Sequence, residues 1–100
     1  MYEDDFIFAF RDISPVAPTH ILIIPKNKDG LTGVSKAEEK HEQILGKMLV
    51  AAARIAKQEG LGNGYRLVIN DGEHAGQTVS HIHLHLLGGK EFTWPPGTSL

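Results

Sequence analysis

Between His81 and Leu87 the chain reads His-Ile-His-Leu-His-Leu-Leu, and this alternation constrains the fold more than any other feature. Successive side chains of a strand point to opposite faces, so a period of two predicts a strand over residues 79–87 that is apolar on one side only. Ile82, Leu84 and Leu86 should be buried, while His81, His83 and His85 share the other face. A cover for the apolar face can be read upstream. Ile44, Leu45, Met48, Leu49, Ala52, Ile55 and Ala56 recur at three- and four-residue spacing, with Lys40, Lys47, Arg54 and Lys57 elsewhere around the same helix. Ser35-Lys36-Ala37-Glu38 has the spacing of a capping box and predicts the start of that helix. Gly60 predicts its left-handed end.

Three further strands are expected. Residues 6–10 are short and aromatic-rich and stop at Arg11-Asp12. Two prolines without N–H donors make Ser14-Pro15-Val16-Ala17-Pro18 a turn. Residues 19–24 then form a largely buried strand ended by Pro25, and residues 26–33 form a polar, exposed loop. Residues 65–70 form a strand before an Asp71-Gly72 turn. With only one segment long enough for a crossover helix, a parallel sheet is disfavoured. The expectation is an α+β fold: one domain over residues 1–100, an antiparallel sheet with one long helix packed on one face. So short a chain buries a modest fraction of its surface, and a homodimer would add stability.

Composition removes several functions. No cysteine is present, which excludes disulfides, thiolate zinc sites and a cysteine nucleophile. A net charge of -2 without a Lys/Arg block is not the footprint of a duplex nucleic-acid binder. The apolar runs are far shorter than the roughly 20 residues of a membrane span. Met1-Tyr2-Glu3-Asp4-Asp5 is acidic where a secretory leader is basic, so the expected location is the cytoplasm, with the nucleus open.

Beyond a merely solvated strand face, two chemistries suit three imidazoles on one face. His81 and His83, about 7 Å apart on a strand, could converge on zinc with a third ligand and activate water. Alternatively the middle imidazole attacks a phosphorus centre covalently, with no cofactor required, because neutral imidazole is nucleophilic near neutral pH. Other residues carry plain structural readings. His20 closes a turn, Asp12 can cap the Ser14-Pro15 turn, and Asn70-Asp71-Gly72 suits a hairpin.

The pattern His-φ-His-φ-His-φ-φ, with φ apolar, resembles the signature of the histidine-triad superfamily. Asp12-Ile13-Ser14-Pro15, Ala17-Pro18-Thr19-His20, Ile24-Pro25-Lys26, Gly64-Tyr65-Arg66, Asn70, Gly76-Gln77, Leu87-Gly88-Gly89 and Trp94-Pro95-Pro96-Gly97 are similar in order and spacing to its Hint branch. The resemblance implies a hydrolase of purine nucleoside 5'-phosphoramidates acting through a nucleotidyl-histidine on His83, needing no metal. His85 and Asn70 would hold phosphate oxygens, with Gly76 and Gln77 in the same binding segment. His20 and His81 would orient the nucleophile, and Asp12 would bind the ribose. Phe10, Arg11, Ile13 and Leu22 would surround the nucleoside. Thr78 stands where the branch has a serine that protonates the leaving group, and Ser80 where it has an aromatic. Trp94 would approach a dimer partner's site. The branch's amino-terminal helix and first strand, part of its base pocket, have no counterpart before Tyr2. The alternative function is a nucleotide-binding interaction module with little or no turnover.

Overall fold

The alternating segment and the helical stripe meet in a computed structural model that describes residues 2–96. Among the described residues, five strands, β1 (Tyr2–Glu3), β2 (Ile7–Arg11), β3 (Thr19–Pro25), β4 (Tyr65–Val68) and β5 (Leu84–Gly88), accompany one long helix, α1 (Glu42–Gln58). Every pairing is antiparallel and the order is β1-β2-β3-β5-β4, so the expected α+β architecture is present. Asp4 turns β1 into β2 by accepting the N–H groups of Phe6 and Ile7, both at 2.8 Å.

One face of the sheet packs on the helix. Ile7, Ala9, Ile21, Ile23, Leu84 and Leu86 bury against Met48, Ala51, Ala52, Ile55 and Ala56. Each fully buried Ile or Leu side chain stabilises this two-layer stack by about 1.5–3 kcal/mol. On the opposite face, the register aligns Phe10, Leu22, His85 and Val68 in one row across four strands. His20, Leu87 and Arg66 form the next row.

Several boundaries differ from expectation. The short β1 was not expected, β2 runs on to Arg11, and β4 ends at Val68. The triad strand begins only at Leu84, because Ile82 N–H leaves the ladder to donate to Leu31 O at 2.9 Å. Burial nevertheless alternates from His81 to Leu87. The helix starts at Glu42 after two single 3-10 turns, Val34–Lys36 and Glu39–His41. The reciprocal cap between Glu38 and His41 belongs to the second of these 3-10 turns, while Ser35 turns instead to Asp71. Leu49 is exposed and Ala51 takes its place in the core. Gly60 ends the helix as expected, at φ +74°. Among the described residues no helix is long and apolar enough to cross a membrane.

Candidate active site

Where β5 leaves the ladder, the backbone of residues 81–83 becomes free to serve side chains. His83 Nδ1 lies 2.8 Å from His81 O. A carbonyl only accepts, so Nδ1 carries the proton and His83 Nε2 keeps its lone pair. By the same logic His81 donates Nε2–H to Pro25 O at 2.9 Å.

A second chain of bonds sets His85. Val16 N–H donates to His20 Nδ1 at 3.1 Å, which leaves the His20 proton on Nε2, 2.9 Å from His85 Nδ1. His85 Nδ1 therefore accepts, and its own proton sits on Nε2. That Nε2 is buried and has no hydrogen-bond partner among the described residues. Burial pushes the His85 pKa below its ordinary 6.5; the nearby His83 and His20 rings add to the effect and Asp12 opposes it. The outcome is a neutral ring with one unused N–H donor, its centroid 5.1 Å from that of His83. A nucleophilic nitrogen and an unpaired donor side by side suit an electrophile that bears oxygens, such as a phosphoryl group.

The sheet brings Phe10 and Leu22 into the row of His85. Asp12 Oδ1 caps the turn by accepting Ser14 N–H at 2.8 Å, and its Oδ2 lies 3.5 Å from His20 Nε2. Half-buried Asn70 borders a cavity of about 450 Å³ with Val16, Val68 and Leu87. Thr78 is exposed in the loop between β4 and β5, and Gly76 closes a 3-10 turn in that loop at φ +84°.

Three residues, Arg11, Ile13 and Gln77, are placed otherwise than expected. Arg11 follows the buried Ile7 and Ala9 on the helix side of the sheet and pairs with Glu59 at 2.8 Å, so it is not directed at the nucleoside. Ile13 is 98% exposed rather than set into a nucleoside pocket, and Trp94, expected to reach a partner, is 83% exposed. Gln77 turns its amide to the protein, donating to Val79 O and accepting Gly72 N–H, rather than toward a ligand. Gly97 lies outside the described residues. Sequence reasoning missed the backbone groups of Val16, Pro25 and His81, which choose the tautomers; main-chain atoms leave no trace in residue type.

His81 and His83 each keep one ring nitrogen free after bonding a carbonyl, but no third ligand among the described residues joins them in a metal-capable group. Among the described residues, the metal-capable group is Asp12, His20 and His85, whose donor atoms lie within 4.8 Å of one another.

Comparison with known proteins is consistent along the chain. The HIT domain matches residues 1–92. A maize protein named 14 kDa zinc-binding protein is 65% identical over 97 residues, covering 97% of this chain and 76% of its own. An Arabidopsis thaliana protein named Adenylylsulfatase HINT1 is 60% identical, covering 97% of this chain and 66% of its own. The crystal structure of a HIT family hydrolase from Legionella pneumophila superposes with a TM-score of 0.92 at 49% identity, over 97% of this chain and 86% of its own. With the triad running from residues 81–83 into β5 and the same fold around it, the chain belongs to the HIT domain family, on its Hint branch.

Proposed function

We propose that the chain is a nucleotidyl hydrolase that cleaves purine nucleoside 5'-phosphoramidates through an intermediate on His83. The carrying observation is the His83 tautomer, with Nδ1–H given to His81 O and the Nε2 lone pair free beside the unpaired His85 Nε2–H. In this reading Nε2 attacks the α-phosphorus and the P–N bond breaks. The leaving nitrogen takes the bonding pair and a proton passed on by the Thr78 hydroxyl, which regains one from the water that attacks next. Water then attacks the same phosphorus, releasing the nucleoside monophosphate and restoring His83. His85 and Asn70 hold phosphate oxygens, and Phe10, Asp12 and Leu22 receive the nucleoside. Support comes from the Arabidopsis relative, named an adenylylsulfatase. Its leaving group would be sulfate on the same kind of adenylyl phosphorus.

His83→Ala should lower turnover of adenosine 5'-phosphoramidate by at least ~10⁴-fold, since nucleophile loss is not made good by neighbours. Its circular dichroism and melting should stay near wild type. Wild-type hydrolysis by this variant would remove His83 from the reaction. Tight AMP binding without turnover by the unaltered protein would select a binding module instead.

A second reading is favoured by the Asp12, His20 and His85 group, since two imidazole nitrogens and a carboxylate oxygen form a zinc-compatible set. The maize relative's printed name also points to zinc. Zinc there would replace the proton shared by His20 and His85. Loss of activity on chelation, regained with zinc, would support a metal-dependent enzyme over the one proposed. We further propose a homodimer, because β4 is an edge strand with Tyr65 and Leu67 only partly covered. Sedimentation showing only an 11.0 kDa species would refute it.

A further inference from the structure

The loop between β4 and β5 carries Asn70 and Thr78, and its own backbone is poorly suited to hold them still. Gly72 and Gly76 flank a single 3-10 turn with φ of +89° and +84°. What fixes the loop lies about forty residues earlier in the chain. Asp71 Oδ2 accepts Ser35 N–H at 2.6 Å, and Oδ1 accepts the Ser35 hydroxyl at 3.3 Å. Gln77 Nε2 donates to Thr32 O at 2.5 Å and to Val79 O at 3.0 Å, while its Oε1 accepts Gly72 N–H at 2.8 Å. All three hydrogen-bonding groups of that amide are used, on both sides of Thr78. Gly33 is buried at the junction. A Cβ placed on it would lie 2.6 Å from Asp71 Oδ1 and 3.4 Å from Gln77 Oε1. Its φ of -165° is ordinary extended backbone, so space alone requires glycine here.

We infer that Asp71, Gln77 and Gly33 form a latch whose task is to position Thr78 for protonation of the leaving group. These are positioning residues, because none touches the reacting atoms. The inference rests on the proposed roles of His83 and Thr78, and adds how Thr78 is held. Its signature is a dependence on the leaving group. An amine needs a proton as it departs, whereas sulfate is a very weak base and leaves without one. A displaced Thr78 therefore slows the phosphoramidate but spares adenylyl sulfate. Misplacement by about 1 Å can cost up to ~10²-fold when a reacting geometry is lost.

The test measures kcat/KM, which reports the steps through leaving-group departure, for adenosine 5'-phosphoramidate and adenosine 5'-phosphosulfate side by side. Asp71→Ala should lower the first by about tenfold or more and the second by less than about threefold. Gly33→Ala should act likewise in the wild-type background, yet add less than about twofold to Asp71→Ala, because the atoms its methyl strikes are gone. Asp71→Asn keeps one oxygen for Ser35 N–H and should fall between. It replaces Asp71→Ala if that variant does not fold. Equal losses on both substrates would mean general loosening and would overturn the inference, as would no loss at all. Thr78→Ala separates the two layers of the argument. If it shifts the substrate ratio and the latch variants do not, the latch fails and the proposed function stands. If it leaves the ratio unchanged, the role of Thr78 and the latch fall together.

Discussion

His20→Ala removes one ring and breaks two hydrogen bonds, and the consequences can be worked separately. The ring is 6% exposed, so its loss leaves a small cavity and an unpaired His85 Nδ1. Val16 is largely exposed and its freed N–H can find water, so that end counts for little. An unsatisfied buried polar group costs about 1–3 kcal/mol, and with the lost packing the total is about 2–4 kcal/mol. For a chain of 100 residues this lowers Tm by at least about 8 °C. The effect on catalysis has a different origin. Without the His20 donor, His85 is free to place its proton on either nitrogen, and Nε2–H is no longer guaranteed as the phosphate donor. Complete loss of such a donor costs about 10²–10³ in kcat; a mixture of tautomers should cost about 10–100-fold. His20→Gln offers an acceptor and a donor at similar separation and should recover part of both losses. Thermal unfolding and steady-state hydrolysis of adenosine 5'-phosphoramidate measure the two effects. A lower Tm with wild-type kcat/KM in His20→Ala would refute the hydrogen-bond relay.

Because burial holds His85 below the ordinary 6.5, the folded protein binds fewer protons than the unfolded chain under that pH. Its contribution to stability is complete above pH 6.5 and is lost as pH falls through the folded value; the urea midpoint should drop from about pH 7 to about pH 5, and less steeply in His85→Asn. Leu86→Ala in the fully buried core should cost about 2–5 kcal/mol by urea titration, with kcat of the folded fraction retained. Gly88→Ala would put a methyl 2.6 Å from Leu61 Cδ1, and should lower stability by about 1–3 kcal/mol through overpacking. Arg11→Ala breaks only an exposed pair with Glu59 and should change stability by about 0–1 kcal/mol, with kcat/KM within about twofold.

Local periodicity made the architecture legible. Alternation through residues 81–87 and the three-four spacing of α1 are statements about neighbours in the chain, and burial follows both. Long-range partners were not legible. Ser35-Lys36-Ala37-Glu38 has the form of a capping box, yet Asp71, thirty-six residues on, captures Ser35 and the helix starts at Glu42. Gln77 followed the same course: its place in the motif suggested a ligand contact, while its amide is spent on Gly72, Thr32 and Val79. Arg11 could have been placed correctly. The period of β2 puts it on the side of Ile7 and Ala9, and family resemblance outweighed that signal. The zinc-compatible group joins residues from a turn and two strands, a juxtaposition that only the β3–β5 register creates.

The central claim is that His83 itself becomes bonded to phosphorus. Enzyme turning over adenosine 5'-phosphoramidate, quenched quickly at alkaline pH because a histidine N–P bond is acid-labile, should yield an adenylyl mass on the peptide spanning residues 70–90, localised to His83 by fragmentation. Thr78→Ala with the sulfate-leaving substrate would form the adduct without demanding a proton, and provides a second sample. The account predicts adduct in wild-type enzyme and none in His83→Ala. Continued turnover with no adduct in either sample, together with loss of activity on chelation, would contradict it and favour activated water.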